Sequence, residues 1–501
     1  MLFWAVCGPP FFVSIDMLRR RPIGLTFRKG DYSHTLILMI VILYFMFCTY
    51  ATSTQIGSPS AMYYLLKEAA IKRPVAGNQD GSYLTMKSNF ALVFGIIQLC
   101  SGSGTVFLDQ AYWQRAIASR PTSAVRAYIL GGMAWFAIPF GFATTLGLAA
   151  VALTDHPSFP TYPNPMAPSQ ISAGLSVAFA ATALLGTGGS IALLIVLFMA
   201  VTSCASAELI AVSSVLTFDI FKTYIRPSAT PSQLIFVSHV MIGVFGLTMA
   251  LFACIWNVIG IDLGWLFLTM GLLIGGAVFP AAFAITWRGQ TKAGAISGAA
   301  TGLMAGITAW LATAHTYYGA VTVATTGMEY PTLAGNLAAI MTGLIVSVSV
   351  SLARPEPFDW EVTRSINAPL DSSSPSPDSA SDDPSHNKDL PTVIDEEKEM
   401  REDAEAMEEP SKLRSAFKLA CIASFVLTFI MDFLIPIPMF LSHYIFSQGF
   451  FTAWVIISFI WVFCSAAITT ILPLWETLDF FKEFVREVGV DVRGGRKKST
   501  L

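Results

Sequence analysis

The chain has 501 residues, of which 54% are hydrophobic and only 13% are charged. A soluble protein carries about twice that charged share, and one of this length could not bury so much apolar surface. The net charge of −3, with no basic domain, excludes a nucleic-acid-binding protein, and the composition excludes disorder over most of the chain. We therefore expect an all-α polytopic membrane protein.

Ten segments are apolar and long enough to cross a bilayer as helices, which takes about 20 residues each. They are 34–52, 88–108, 127–153, 190–215, 234–256, 263–286, 293–314, 332–352, 417–442 and 450–473. The N-terminal stretch 1–15 is also apolar, but it is short and lacks the basic start and cleavage motif of a signal peptide. The sequence thus predicts about ten transmembrane helices.

The basic residues of the connecting segments predict the orientation of these helices. If the N-terminus is inside, 26 of the 30 Lys and Arg residues lie in inside segments, and the other four lie in the single outside loop 53–87. Because Lys and Arg are retained on the cytoplasmic side, this alternation predicts that both termini are cytoplasmic.

The same pattern divides the chain into five parts. Residues 1–33 are a cytoplasmic segment that could include a partial helix, and 34–353 form a core of eight transmembrane helices. The Ser-, Pro- and Asp-rich segment 354–415 is predicted to be a disordered acidic cytoplasmic loop, followed by two helices in 416–473 and a cytoplasmic tail, 474–501. The loop is interpreted as a linker or, alternatively, as a regulatory segment whose serines are phosphorylated.

The outside loop 154–189 contains five prolines and neither Lys nor Arg. This composition favours an extracellular cap, and the apolar stretch 175–185 predicts a short helix within it.

Polar groups inside a membrane span are costly, and the richest cluster of them lies in the fourth span. The hydroxyl groups of Thr202, Ser203 and Ser206 could offer oxygen ligands to a cation such as Na⁺, and Glu208 lies on the same helix. The alternative is structural: these hydroxyl groups bond back to their own helix and the small side chains allow close packing.

A second cluster, in the span 88–108, would suit a small uncharged solute. It contains Gly102 and Gly104, which favour a local break in the helix. The side chains beside this break that could hydrogen-bond to the solute are Gln98, Ser101, Ser103 and Thr105. The alternative interpretation is a flexible packing helix.

Three further features could have roles in transport or in packing. Asp109 and Arg115 follow the span 88–108 and could form an ion pair at a gate, or could simply anchor the helix end. Glycines recur every fourth residue in the seventh span, at 294, 298, 302 and 306, which predicts a packing face. Asp432 lies in the ninth span, shortly before two prolines that predict a kink or a helix end.

Signatures of enzymes are absent from the sequence, which has no HExxH, G-x-S-x-G or Walker A motif. The six histidines show no metal-ligand spacing. We therefore expect neither enzymatic activity nor a bound cofactor.

The segment from Phe198 to Arg226 reads FMAVTSCASAELIAVSSVLTFDIFKTYIR. It resembles the sodium:solute symporter family and, within that family, the fungal urea active transporters. The resemblance continues, in the same order along the chain, at 31–35, 108–119, 159–164, 185–190 and 353–361.

This resemblance implies a leucine-transporter-like fold, in which two inverted repeats of five helices enclose the sites for substrate and cation. Residues 88–286 would supply the second repeat and 34–52 the last helix of the first. The family's cation ligands fall on the backbone carbonyl of Met199 and on the hydroxyl groups of Thr202 and Ser203. The substrate-facing side of the family's sixth core helix falls near Ser103 and Thr105, together with Gly102.

Nothing in the chain resembles the family's first, broken core helix or the three helices after it, so most of the first repeat is missing. The notable mismatch predicts an N-terminally truncated chain, which could be a truncated product, a partial gene model or a genuinely short relative. A cation site that lacks half its ligands should bind weakly.

The resulting hypothesis is a plasma-membrane secondary active transporter that takes up urea, or polyamines and related small solutes, by symport with Na⁺ or H⁺. Its partners would be the solute and the lipid bilayer, with no nucleic acid. In this interpretation Asp109, Arg115 and Glu208 are gate or coupling residues. Two alternatives remain: a passive urea channel or facilitator, and a non-transporting truncated membrane protein.

Overall fold

The computed structural model of the protein describes residues 23–117, 119, 121–356 and 410–472. Within these residues the fold is helical, with two isolated β-bridges and no strand. Ten helical spans are long and apolar enough to cross a membrane, and each overlaps one of the ten predicted segments, which confirms that prediction. They are His34–Thr52, Asn89–Leu108, Ser123–Leu153, Leu175–Ile225, Pro231–Ile259, Leu263–Thr286, Lys292–Tyr318, Glu329–Ala353, Ser411–Leu441 and Gln448–Ile471.

Several spans combine more than one helix, and five of them include a π-helical stretch. In chain order the α-helices are α1 Ile23–Phe47, α2 Pro59–Lys72, α3 Asn89–Leu108, α4 Gln110–Ile117, α5 Pro121–Trp135, α6 Thr144–Leu153, α7 Pro168–Ser172, α8 Leu175–Ser214, α9 Pro231–Ile259, α10 Leu263–Ile274, α11 Val278–Thr286, α12 Lys292–Tyr318, α13 Val323–Thr326, α14 Glu329–Ala353, α15 Pro410–Thr428, α16 Pro436–Leu441 and α17 Gln448–Ala466. The π-helical stretches are Cys48–Thr52, Ile138–Ala143, Val215–Ile225, Phe429–Leu434 and Ala467–Ile471, and the 3₁₀ turns are Gln79–Gly81 and Gly275–Ala277.

Polar residues set the beginnings of several spanning helices. The side chains of Ser88, Asp262 and Ser447 each accept a hydrogen bond from the backbone N–H three residues further on. These bonds satisfy donors that the first helical turn leaves without a partner. At the other end, α9 and α12 stop at Gly260 and Gly319, whose left-handed backbone favours glycine.

The longest span contains the predicted cap helix. Gly186 interrupts α8 with φ 59° and ψ −143°, a conformation open essentially to glycine alone. The stretch before it matches the predicted helix 175–185. A hydrogen bond of 2.7 Å between the hydroxyl groups of Thr182 and Ser190 joins the two parts across the break.

The main apolar core lies where α1, α6, α17 and the first part of α8 meet, with α2 packed over one end. Its largest fully buried side chains include Phe45, Met62, Leu146 and Phe451. Asp155, just beyond α6, forms ion pairs with Arg73 (2.7 Å) and Lys72 (3.2 Å) at the end of α2. These pairs hold α2 over the core.

Glycines bring α12 and α14 into close backbone contact. A Cβ atom at Gly298 would lie 2.8 Å from the Ser347 Cβ and 2.9 Å from the Gly343 oxygen, and one at Gly302 would also meet Gly276 and Gly343. The predicted packing face at 294, 298, 302 and 306 is therefore confirmed, because each position is too tight for any larger residue.

Other helices expose apolar side chains on most of their surface. Phe236, Leu247 and Val258 of α9 are 68%, 70% and 84% exposed, and Phe417 and Phe425 of α15 are similarly open. In a spanning helix such a surface faces lipid, which needs no covering protein. At the end of this span Pro436 begins the separate helix α16, in agreement with the predicted kink or helix end.

Most of the predicted acidic loop and C-terminal tail lies outside the described residues, as does the N-terminal stretch 1–22. The inverted-repeat arrangement and the direction of the termini remain predictions.

Candidate functional site

A cavity of about 420 Å³ lies among the helices α1, α3, α4, α5 and α8, and we call it the carboxylate cavity. It is lined by His34, Thr35, Leu38, Asp109, Ala111, Tyr112, Arg115, Trp135, Ile138, Val196, Met199, Ala200, Ser203, Cys204, Ala207 and Glu208. Five of these are site residues that the sequence predicts: Asp109 and Arg115 as a gate pair, Met199 and Ser203 as cation ligands, and Glu208 as a coupling residue. The fold thus brings the predicted gate pair and the predicted cation segment to one place.

Two carboxyl groups approach each other in this cavity. Both side chains line the cavity, the side chain of Glu208 lies within hydrogen-bonding reach of Asp109, and the positive charge of Arg115 acts on Glu208. Two carboxyl groups can be joined by a hydrogen bond only when one of them carries a proton. The cavity can therefore hold a proton between Asp109 and Glu208, beside a fixed positive charge.

The local sequence explains how Asp109 and Arg115 come to face Glu208. Asp109 ends α3 in an extended conformation, and its Oδ1 accepts a hydrogen bond of 2.7 Å from the Ala111 N–H, which starts α4. The indole N–H of Trp113 donates to the Phe107 oxygen (3.0 Å) and holds the turn between the two helices. Arg115 therefore projects from a short helix that is fixed against the end of α3.

The predicted cation ligands are only partly at the cavity. Met199 and Ser203 line it, whereas the Thr202 hydroxyl donates a 2.7 Å hydrogen bond to the Phe198 oxygen of its own helix. The Ser206 hydroxyl similarly donates to the Ser203 oxygen at 2.9 Å. For Thr202 and Ser206 the structure shows the back-bonded arrangement that the structural alternative describes.

The predicted substrate residues lie on α3, away from the carboxylate cavity. Ser103 and Thr105 donate to the oxygens of Leu99 and Ser101, at 2.7 Å and 2.9 Å. The predicted break at Gly102 and Gly104 is wrong, because α3 is one continuous helix. Gly104 serves packing instead: a Cβ atom there would lie 2.6 Å from the side chain of Ile274 on α10.

Gln98 and Ser101 belong to a different polar site, which is buried between α3, α10 and α14. The Ser101 hydroxyl donates to Gln98 Oε1 at 3.3 Å, and Ser101 lies against Gly271, which in turn lies against Oδ1 of Asn336. Among the described residues, Gln98 Nε2 and Asn336 Oδ1 are buried without a hydrogen-bond partner. One donor and one acceptor thus remain unpaired here. Each lowers the stability of the fold, because a buried polar group without a hydrogen bond has lost its contact with water.

Two residues at these sites were not selected by sequence reasoning. His34 lines the carboxylate cavity, and its Nδ1 is buried without a partner among the described residues. It was considered only as a metal ligand, for which it has no suitable neighbours in sequence. Asn336 sits in a predicted span, and an amide within 20 apolar residues was a signal that could have identified it.

The electrostatics outside the spans centre on Asp155. The Arg73 guanidinium, with Lys72, lowers the pKa of the Asp155 carboxyl, and Glu68 and Asp155 together raise the pKa of Lys72. Burial raises the pKa of Tyr83, whose hydroxyl donates to the Arg73 oxygen at 2.9 Å. These groups stabilise the position of α2 and lie apart from the carboxylate cavity.

No protein-family model matches the chain. The chain is 38% identical over 465 residues to a Schizosaccharomyces pombe protein named "Probable urea active transporter 1", in an alignment that covers 93% of this chain and 66% of that protein. It is 38% identical over 486 residues to the "Urea active transporter" of Saccharomyces cerevisiae, covering 89% and 66% of the two chains. It is also 42% identical over 358 residues to a urea-proton symporter of Oryza sativa subsp. japonica, covering 68% and 48%.

The chain therefore spans just under two thirds of the length of the two yeast relatives and about half of the plant relative. The similarity extends well beyond the short motifs on which the resemblance was first noted.

Proposed function

This chain belongs to the family of urea active transporters, and we propose that it acts in secondary active uptake of urea, with H⁺ as the coupling ion. Two relatives are named as active transporters of urea and a third as a urea-proton symporter. We further propose that uptake occurs across the plasma membrane with both termini in the cytoplasm, since 26 of the 30 basic residues then lie on the inside.

The observation that carries the proposal is the contact between Asp109 and Glu208 in the carboxylate cavity. Ionisable groups among membrane-spanning helices are costly, so their presence in a cavity points to transport of charge. When the proton leaves, two negative charges face each other across the cavity beside Arg115, and their repulsion favours a different arrangement of α3 and α8. Gain and loss of one proton would thus bias a conformational equilibrium, as coupling requires.

We assign the substrate contacts to the buried polar site of Gln98, Ser101 and Asn336. Urea has one carbonyl acceptor and two NH₂ donor groups. The unpaired Gln98 Nε2 could donate to the carbonyl, and the unpaired Asn336 Oδ1 could accept from an NH₂ group. A site built to hydrogen-bond a solute in this way rejects analogues that leave its polar groups unpaired.

Ser103 and Thr105 stay in the proposal as neighbours on α3 that could release their intrahelical bonds to solute. Met199, Thr202 and Ser203 remain the candidate ligands if the coupling ion is Na⁺. Hydroxyl and carbonyl oxygens suit that cation, while the carboxyl pair suits H⁺.

The test is uptake of labelled urea into vesicles that contain the purified chain, under an imposed pH gradient or an imposed Na⁺ gradient. We expect accumulation with the pH gradient alone. Glu208→Gln keeps the shape of the side chain but removes its titratable group. It should reduce accumulation at least about tenfold, because the pair with Asp109 can no longer take up and release a proton. Asp432→Asn is the matched control, since Asp432 is an exposed intramembrane carboxyl that does not line the carboxylate cavity, and this variant should leave uptake unchanged.

Urea entry that persists after both gradients are collapsed would overturn symport and indicate a passive channel. Accumulation driven only by Na⁺ would move the coupling site to Met199, Thr202 and Ser203, and Ser203→Ala would then be the informative variant. An absence of any urea flux from well-folded protein would contradict the proposed function of this chain.

A further inference from the structure

A second and larger cavity, of about 910 Å³, lies between α5, α15 and the π-helical stretch Ala467–Ile471. We call it the arginine–lysine cavity. It is lined by Ser123, Arg126, Ala127, Leu130, Gly131, Lys412, Ser415, Ala416, Leu419, Ile468, Thr469 and Leu472. We propose that this cavity binds an anionic phospholipid, with the phosphate at Arg126 and Lys412 and the acyl chains along the apolar residues deeper in the membrane.

The first support for this proposal is charge. The described lining includes two basic residues and no acidic one, and among the described residues neither Arg126 nor Lys412 takes part in an ion pair. Arg414 and Lys418 follow on the same helix and extend the positive surface. A cavity with this charge is complementary to an anionic group and repels a cation.

The second support is the order of the lining residues along the helices. Arg126 and Lys412 lie near the first turns of α5 and α15, while Leu130 and Leu419 lie about one and two turns further in. The cavity is therefore polar at the end of the spans and apolar towards their middle. A phospholipid has the same order, with its phosphate at the boundary and its chains inside the bilayer.

The third support is location. With the orientation proposed above, both helices begin at the cytoplasmic face, where anionic lipids are concentrated. A cavity between spanning helices with basic residues on that side is the arrangement that binds anionic lipid headgroups. A soluble phosphate could meet the same two side chains, but it would leave the apolar half of the cavity unused.

The test starts from the purified chain, which is exchanged into phosphatidylcholine vesicles with or without phosphatidylserine. Native mass spectrometry then measures which lipid the protein retains. We expect preferential retention of phosphatidylserine by the unmodified protein. The double variant Arg126→Gln/Lys412→Gln should lower that retention about 30-fold, which corresponds to about 2 kcal/mol for two basic residues near the surface. Arg414→Gln is the matched control, on the same helix but outside the lining, and should change it far less.

A second pair of variants keeps every charge. Among the described residues, nothing lies within 4 Å of a Cβ at Gly131 or at its neighbour Gly132, and of these two glycines only Gly131 lines the cavity. Gly131→Leu should therefore fill the apolar half and reduce retention of phosphatidylserine, whereas Gly132→Leu should not. Both replace a helical glycine with a good helix former, so neither should prevent folding.

Three results would overturn the proposal. Equal retention of the two lipids by the unmodified protein would remove the anionic preference. Loss of retention in Arg414→Gln as large as in the double variant would indicate diffuse surface charge and no defined site. Displacement of the retained lipid by inorganic phosphate at matched concentration would assign the cavity to a soluble anion.

Discussion

The two cavities lie at opposite ends of the same helix, α5, and their charged side chains are arranged differently. The carboxylate cavity reaches Trp135 at the end of α5 and contains Asp109 and Glu208 side by side. The arginine–lysine cavity begins at Ser123, in the first turns of α5, and its described charges are all positive. One cavity brings two like charges within reach of each other, and the other holds its described basic residues near the first turns of two helices.

This difference shows what each site costs the protein. Basic side chains at a helix end can reach water or headgroups, so Arg126 and Lys412 require no internal partner. Two carboxyl groups within hydrogen-bonding reach of each other must share a proton, pair with Arg115 or change position. The pairing of like charges therefore separates a site that can couple ion movement to conformation from a site that recognises its surroundings.

The largest effect is expected when the Asp109 carboxyl group, the partner of Glu208, is removed. Asp109→Asn retains an oxygen that can accept from the Ala111 N–H and so should preserve the start of α4. It removes the shared proton, and proton-driven urea accumulation should fall at least about tenfold. Uptake assays with an imposed pH gradient check the loss, and the melting temperature should stay close to that of the unmodified protein.

Asp109→Ala separates the two roles of this residue. It removes both the proton site and the helix cap, so we expect the same loss of accumulation together with a lower melting temperature. If Asp109→Asn transports normally while Asp109→Ala does not, Asp109 is only a helix cap and the coupling role is refuted.

A smaller effect is expected in the chemical labelling of cysteines, which tests whether the carboxylate cavity is open to water. Cys204 lines the carboxylate cavity, whereas Cys100, on α3, is 4% exposed and lies outside it. In variants that keep only one of these cysteines, a charged thiol reagent should modify Cys204 and leave Cys100 largely unmodified, because the thiolate must meet the reagent in water. Mass spectrometry measures the labelling, and a Cys204 that is no more labelled than the buried Cys100 would mean that the cavity is closed to the reagent.

The fold was predictable from sequence to the extent that it depends on hydropathy. Apolar length alone located all ten spans, and the apolar stretch 175–185 located the cap helix, which the structure ends at Gly186. The error at Gly102 and Gly104 has a physical reason. Low helix propensity is a small effect, about 1 kcal/mol per glycine, and at Gly104 the close approach of Ile274 gives the glycine a role in packing.

The candidate site was less predictable, because it is formed by residues distant in sequence. The sequence predicts Asp109 and Arg115 as a pair and Glu208 separately, but nothing in their spacing places all three in one cavity with His34. Asn336 was missed for the same reason: its unpaired oxygen is significant only beside Ser101 and Gly271, some 65 residues or more away. Which face of a spanning helix meets another is decided by packing, and periodic hydropathy carries little of that information when a helix is apolar all round.

The smallest effect is expected at the ion pairs of Asp155 with Arg73 and Lys72. These pairs are exposed, so water competes with them for hydrogen bonds. Because Arg73 lowers the Asp155 pKa below its ordinary value of 3.8, this pairing stabilises the fold above pH 3.8 and is lost as the pH falls through the lowered pKa. Asp155→Asn should therefore lower the melting temperature at pH 7 by no more than about 2 °C, as is usual for exposed pairs, and should have no effect at a pH well below the lowered pKa. Urea accumulation should be unchanged, since α2 lies outside the carboxylate cavity. A loss of transport as large as that in Asp109→Asn would show that the position of α2 controls the cavity, and the pair of carboxyl groups would no longer distinguish the coupling site.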